Sequence, residues 1–352
     1  MRRFRIMIAV LAFAAPAGAQ DLTVASWGGA YEAAQRVAVF APYEERVGAQ
    51  VTMVQYDGTA AALAERAGPE GWDLVDMLSD QARAACSAGD LLEIDARALL
   101  GRAAVRDFAP AGPTRCAIPQ NVYARVMAYD ERAFPGLKPT RIADFFDTGR
   151  FPGPRAVQKS PDGILEWALL AEGVPPEQVY GLLSTDRGLR LAFRRLDAIR
   201  EDIVWWTDPA RPVEMLKSGA AVMAAGYNGR FFSMAESGAA PVNIVWDGRI
   251  NGVEVWAIPA ASDAPGDALD LLAHAVSPAS MARLAERIPY GPARRSAFAR
   301  IGLNPGTGTP MRAHLPNAPQ HGDRVLVRDP QWYANTRALR QRRFEAWLAG
   351  GD

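Results

Sequence analysis

The chain has 352 residues, 49% of them hydrophobic, and its 39 basic and 39 acidic side chains leave no formal net charge. A balanced composition without a basic tract excludes a nucleic-acid partner, and beyond its first residues the chain has no apolar run of the ~20 residues a membrane helix needs. Its three histidines (His274, His314, His321) and two cysteines show no metal-ligand spacing, so no zinc centre and no cofactor is expected.

In chain order, Arg2, Arg3 and Arg5 precede an apolar run over 6–15. Pro16 breaks that run, and Ala17-Gly18-Ala19 supplies the small-x-small pattern of a signal-peptidase site. The expectation is a signal peptide over 1–19, cleaved after Ala19, and a mature protein that works in the periplasm. The roughly 330 residues that follow exceed a single core and suit two domains. In an oxidising compartment Cys86 and Cys116 are most simply a disulfide.

Strand and helix patterns then alternate. A strand is predicted over 22–27 and a helix over 31–47, with Val37, Phe40 and Val47 on its inner face. A strand over 51–56, a helix over 59–67, a strand over 73–78 and a helix carrying Cys86 follow. This order implies parallel strands with right-handed crossovers. The alternating NVYARVMAY, residues 121–129, reads as a strand, and Pro135, Pro139, Pro152 and Pro154 punctuate a loop-rich stretch. A second α/β series has strands over 155–158, 203–206, 221–226, 242–246 and 253–258. Its helices fall over 163–172, 176–200 (split near Thr185), 213–218, 265–276, 278–287 and 332–348.

Three features carry chemistry. Ser26-Trp27-Gly28-Gly29-Ala30-Tyr31 ends a strand, turns on two glycines and starts a helix, which is where parallel sheets hold ligands. Aromatic rings gather at predicted strand ends: Trp27, Trp205, Trp206, Tyr227, Trp246 and Tyr290. For any one of them core packing is the structural alternative, but rings grouped at a cleft stack on a ligand or cage a cation. Carboxylates sit at comparable places: Asp80 after the third strand, Asp162 before a helix, and Glu254 inside an apolar run. A cation deep in a cleft needs such a counter-charge, although Asp80 and Asp162 also suit helix caps. Gly-x-Ser-x-Gly, His-Glu-x-x-His and P-loop patterns are absent, and residues 304–310 (NPGTGTP) read as an ordinary loop. The chain is therefore not expected to be an enzyme.

An ordered set of segments resembles the solute-binding receptors of ABC importers, of the spermidine/putrescine type. The set comprises SWGGAY, GWDLVDMLSDQARAACSAGDLLEID, DFFDTGRFPGPRA, LEWALLAEGV, VYGLLSTDRGLRLAFRRLD, VWW, AAGYNGR, IVWDG, VEVWAIPA and IPYGPARRSAF. The resemblance implies a type II periplasmic-binding-protein fold of two α/β lobes joined by crossing hinge strands. Lobe one would comprise residues 20–124 and 253–302, and lobe two residues 125–252 and 303–352. It further implies a monomer that clamps a small amine, a polyamine such as putrescine or spermidine, and delivers it to an inner-membrane permease. The ligand-binding residues so implied or singled out are Trp27, Tyr31, Asp80, Asp162, Trp206, Tyr227, Glu254 and Tyr290. The chain departs from that pattern at Lys159-Ser160-Pro161-Asp162-Gly163, where polyamine receptors carry two acids. The departure leaves room for a zwitterionic amine or amino-acid derivative.

Two rivals come from other classes. A secreted hydrolase would use Asp162 with Glu254 as its acid pair, but no nucleophile–base constellation accompanies them. A ferric-ion receptor would need converging tyrosines and acids, and of the tyrosines only Tyr290 is suitably placed.

Overall fold

The structure, a computed structural model, describes residues 20–350, and the expected signal peptide lies outside the described residues. Among those residues ten strands form one sheet: β1 (Leu22–Ser26), β2 (Val51–Gln55), β3 (Leu74–Leu78), β4 (Ala117–Asp130), β5 (Arg155–Gln158), β6 (Ile203–Trp206), β7 (Met223–Tyr227), β8 (Val242–Ala257), β9 (Gly291–Pro292) and β10 (Val325–Val327). The order is β2-β1-β3-β8-β4-β7-β5-β6, with β9 beside β4 and β10 beside β8. β1, β2 and β3 run parallel, as do β5, β6 and β7.

Two long antiparallel strands, β4 and β8, tie these two parallel groups together. β3 pairs with residues 254–257 of β8, whereas β7 pairs with residues 125–129 of β4. Each group has its own helices and its own apolar core. Leu22, Phe40, Leu74 and Trp256 pack in one. Phe145, Trp167, Leu169 and Phe344 pack in the other. The molecule is therefore a two-lobed α/β protein of the periplasmic-binding-protein fold.

The long β8 was not expected from the sequence, which reads as two strands separated by the polar residues 247–252. The stretch stays in the ladder with its buried arginine satisfied: the Arg249 guanidinium donates to the carbonyls of Pro316, His321 and Gly322. β4 and β8 shift register between Arg125 and Met127 instead of breaking. Tyr123 faces Gly252 across this pair, and a Cβ at 252 would stand 2.2 Å from its ring, so only glycine fits there.

The first helix also departs from expectation. Gly29–Gln35 continues through a π-helical turn, Arg36–Phe40, into Ala41–Val47. A π-turn carries an extra residue and rotates the faces on either side of it. Val37, expected inside, is 52% exposed, while Ala38, Val39, Phe40 and Tyr43 are buried. The sequence patterns also missed the helix Asn228–Glu236 and the short strands β9 and β10. Cys86 and Cys116 are joined in a disulfide.

Candidate functional site

A cleft of about 760 Å³ lies between the lobes. It sits at the carboxyl ends of β1, β3 and β7, where the chain leaves each strand for a helix. Trp27, Tyr31, Tyr227, Glu254 and Tyr290, five of the residues singled out from the sequence, line this one space.

Trp27 follows β1. Its ring stacks on Tyr56 at 6.2 Å and covers Gly58, where a Cβ would come within 1.9 Å of it. Gly58 also holds a φ of +72°, so two independent reasons keep glycine beneath the indole. Tyr31, from the first turn of the following helix, lies 5.5 Å from Tyr290, and Tyr123 lies 5.8 Å from Tyr227. The cleft is thus walled by one indole and four phenols. Burial raises the ionisation of Tyr31 and Tyr290 well above the ordinary phenol value, so these walls stay neutral.

Glu254 forms the floor. It is 8% exposed, and its Oε2 accepts from Tyr31 Oη at 2.9 Å and from Asn121 Nδ2 at 2.8 Å. No cation pairs with it among the described residues. Burial first, and the nearby Asp76 second, push its carboxyl up from the ordinary range towards neutrality. Asp76 lies behind it on β3, fully buried, and accepts from Gln35 Nε2 at 2.8 Å.

The other lobe contributes a different set of charges. Arg230, in the first turn of Asn228–Glu236, lines the cleft, is exposed, and has no ion pair or hydrogen bond among the described residues. Lys217 and Glu214 line the same side, and Glu214 pairs with Arg211. Tyr290 stands between the lobes: its ring rests against Gly229, and its phenol feels both the Glu254 carboxylate and the Arg230 guanidinium. Arg125 backs the wall by stacking on Tyr227 at 5.5 Å and donating to Gln158 Oε1 at 2.6 Å.

Three of the expected site residues lie elsewhere. Trp206 is 2% exposed and packs with Ala156, Leu216 and Phe231 in the core of its lobe. Its position at the end of β6 suggested the cleft, but the ring turns inward to that core. Asp80 pairs with Arg328 at 3.2 Å. Asp162 pairs with Arg340 and lies 3.9 Å from Arg328. Neither acid lines the cleft, and neither caps a helix: Gly163 and Leu78 occupy the two N-cap positions.

Sequence reasoning missed Tyr123, Asn121, Arg230 and Asp76. Asp76 carried the signal that marked Glu254, an acid inside an apolar run (Leu74, Val75, Met77). Arg230 lay within a quoted segment, AAGYNGR, but its charge drew no attention beside Tyr227.

Comparison with known proteins gives a consistent result. The bacterial extracellular solute-binding protein family matches residues 38–306. The chain is similar to the gamma-aminobutyric acid-binding protein of Pseudomonas aeruginosa, at 35% identity over 349 residues, covering 98% of this chain and 96% of the relative. Among solved structures it resembles an ABC transporter substrate-binding protein from Bradyrhizobium japonicum USDA 110. That match has a TM-score of 0.82 at 28% identity and covers 94% of this chain and 99% of the other. It also resembles the GABA receptor Atu4243, with a TM-score of 0.77 at 26% identity over 94% of this chain and 98% of that one.

Proposed function

We propose that this chain, which belongs to the bacterial extracellular solute-binding proteins, captures a small zwitterion with a terminal ammonium and a carboxylate, such as gamma-aminobutyrate, for an ABC importer. One observation carries the reading. The cleft holds a buried carboxyl, Glu254, and a guanidinium, Arg230, both close enough to act on the Tyr290 phenol, and among the described residues neither has an oppositely charged partner. An ammonium on Glu254 and a carboxylate on Arg230 would satisfy both groups with a single ligand. The relative from Pseudomonas aeruginosa is named for a ligand of this kind.

A polyamine, expected from the sequence resemblance, has two or more ammonium groups and would need an acid for each. Asp80 and Asp162 are held by Arg328 and Arg340, and Glu214 by Arg211. That leaves Glu254 alone among the cleft's acids for an ammonium. Lys217 and Arg230 would repel a second one.

The lobes we assign are residues 20–124 with 253–302 and residues 125–252 with 303–352, hinged where β4 and β8 cross. Closure gains only what the ligand contacts add over the open form. A micromolar dissociation constant needs ~8 kcal/mol. Charge-assisted hydrogen bonds at ~1.5–3 kcal/mol each and cation–π contacts at ~0.5–2 kcal/mol reach that total with a few contacts. The family is extracellular, and the basic, apolar and small-residue pattern of residues 1–19 supports a periplasmic site of action.

Calorimetry with gamma-aminobutyrate, butylamine, butyrate, putrescine and spermidine tests the reading. The expected result is one-to-one binding of gamma-aminobutyrate and much weaker binding of the others. Putrescine or spermidine binding as tightly as gamma-aminobutyrate would overturn the zwitterion, and silence with every amine would overturn the amine.

A further inference from the structure

We propose that Asp76 is a specificity-determining residue of this site: with Glu254 it forms a pair of buried acids that share one proton in the empty cleft and release it when an ammonium enters. The inference rests on the amine reading above and extends it to a carboxyl that does not touch the ligand.

The geometry begins with the sheet. β3 and β8 are antiparallel neighbours, with Leu78 opposite Glu254 and Asp76 opposite Trp256. Directly opposed residues share a face, and residues two apart on one strand share it too. Asp76 and Glu254 are therefore diagonal neighbours on the face that looks towards the helix Gly29–Gln35. Asp76 is 0% exposed and Glu254 8%. Among the described residues Asp76 Oδ1 has no hydrogen-bond partner, while Oδ2 accepts from Gln35 Nε2.

Neutral groups surround the pair. The helix supplies Tyr31 and Gln35, and β1 supplies Ser26, 3.4 Å from Asp76. β4 supplies Gln120, Asn121 and Tyr123. Tyr56, after β2, donates to the Asp76 carbonyl, and Tyr290 approaches Glu254 from the turn before β9. The nearest charges lie one shell further out: Asp57 on Tyr56, Asp80 and Arg328 around Tyr123, and Arg230 beyond Tyr290. No lysine, arginine or histidine pairs with either carboxyl among the described residues.

Two carboxylates in one low-dielectric pocket without a cation cannot both stay ionised. Burial raises both, outweighing the Gln35 hydrogen bond that favours ionised Asp76, and the charge of Asp76 raises Glu254 further, so the pair retains a proton into the neutral range. An ammonium brings the missing positive charge. The reaction balances as singly protonated pair plus ammonium giving a doubly ionised pair with ammonium bound, and one proton passing to solvent. A neutral isostere cannot displace that proton, and an anion meets a site that already resists negative charge. Asp76 thus makes the pocket select a cationic head group without contacting it.

Calorimetry with gamma-aminobutyrate in buffers of different ionisation enthalpy counts the protons exchanged. The expected result near neutral pH is net release approaching one proton, with affinity rising as pH rises. Asp76→Asn should shift the midpoint of that dependence downward by about one pH unit or more, because one of two interacting acids is gone. Tight binding with no proton exchange between about pH 5 and about pH 9 would overturn the shared proton while leaving the amine function intact. A second measurement needs no ligand. Infrared spectroscopy of the empty protein at neutral pH should show a protonated-carboxyl stretch that is lost or displaced in Glu254→Gln. Should no amine bind, the function reading falls and this band alone decides the shared proton: its absence would overturn it. If Asp76→Asn fails to fold, the wild-type proton count and the Glu254→Gln spectrum still give the answer.

Discussion

Arg328 and Asp80, 248 residues apart in sequence, meet at 3.2 Å as an ion pair that is almost free of solvent. Arg328 follows β10, which is paired to β8, and Asp80 sits in the helix Ser79–Ala88 after β3. The guanidinium also lies 3.4 Å over the Tyr333 ring, so the C-terminal segment reaches from one lobe to the other. Arg328→Met would leave Asp80 as a buried charge without a partner. We expect a loss of about 3–5 kcal/mol of stability in urea unfolding, and a smaller loss when Asp80→Asn is added. Equal losses for the single and double variants would show that the pair contributes through packing alone.

Arg230 separates a zwitterion from a simple amine. Arg230→Met should weaken gamma-aminobutyrate by about ten- to a hundredfold, the loss of ~1.5–3 kcal/mol for hydrogen bonds to a charged group. Butylamine, which has no carboxylate, should be unaffected. Calorimetry on both ligands checks this, and equal losses for both would remove Arg230 from carboxylate recognition.

Glu254→Gln should act in opposite directions on binding and on stability. Ammonium affinity should fall by ~2–5 kcal/mol, because a desolvated charge loses its partner. The empty protein, in contrast, should gain stability towards alkaline pH. The Glu254 carboxyl is raised in the folded state, so the fold keeps a proton that the unfolded chain releases above about pH 4.3. Unfolding then loses protons, and stability falls as pH climbs from that point to the raised folded value. Thermal unfolding across this range should show a steeper decline in the wild type than in Glu254→Gln. Parallel declines would mean that Glu254 is ionised in the empty cleft.

The disulfide closes a loop across a sequence separation of 30 residues. Replacing Cys86 and Cys116 by serine should cost about 3–4 kcal/mol by the loop-closure argument. Equilibrium unfolding of the oxidised protein against the double variant measures it, and an unchanged midpoint would show that the loop is already ordered in the unfolded chain.

By itself the sequence determined the alternation of strands and helices, the aromatic residues after β1 and at the end of β7, and the oddity of Glu254 in an apolar run. Each of these is written in a few neighbouring residues, because strand period, turn chemistry and side-chain polarity act locally. Only the tertiary structure decided which acids face the cleft. Asp80, Asp162 and Glu254 look alike as carboxylates near element ends, yet Arg328 and Arg340 neutralise the first two, and among the described residues nothing cationic pairs with the third. The tertiary structure likewise decided that Trp206 packs inward, that β8 runs unbroken through a polar stretch, and that Asp76 stands behind Glu254. The physical reason is the same in each case. A side chain's charge state and exposure depend on the partners that folding brings to it, and those partners lie far along the chain, where no local pattern records them.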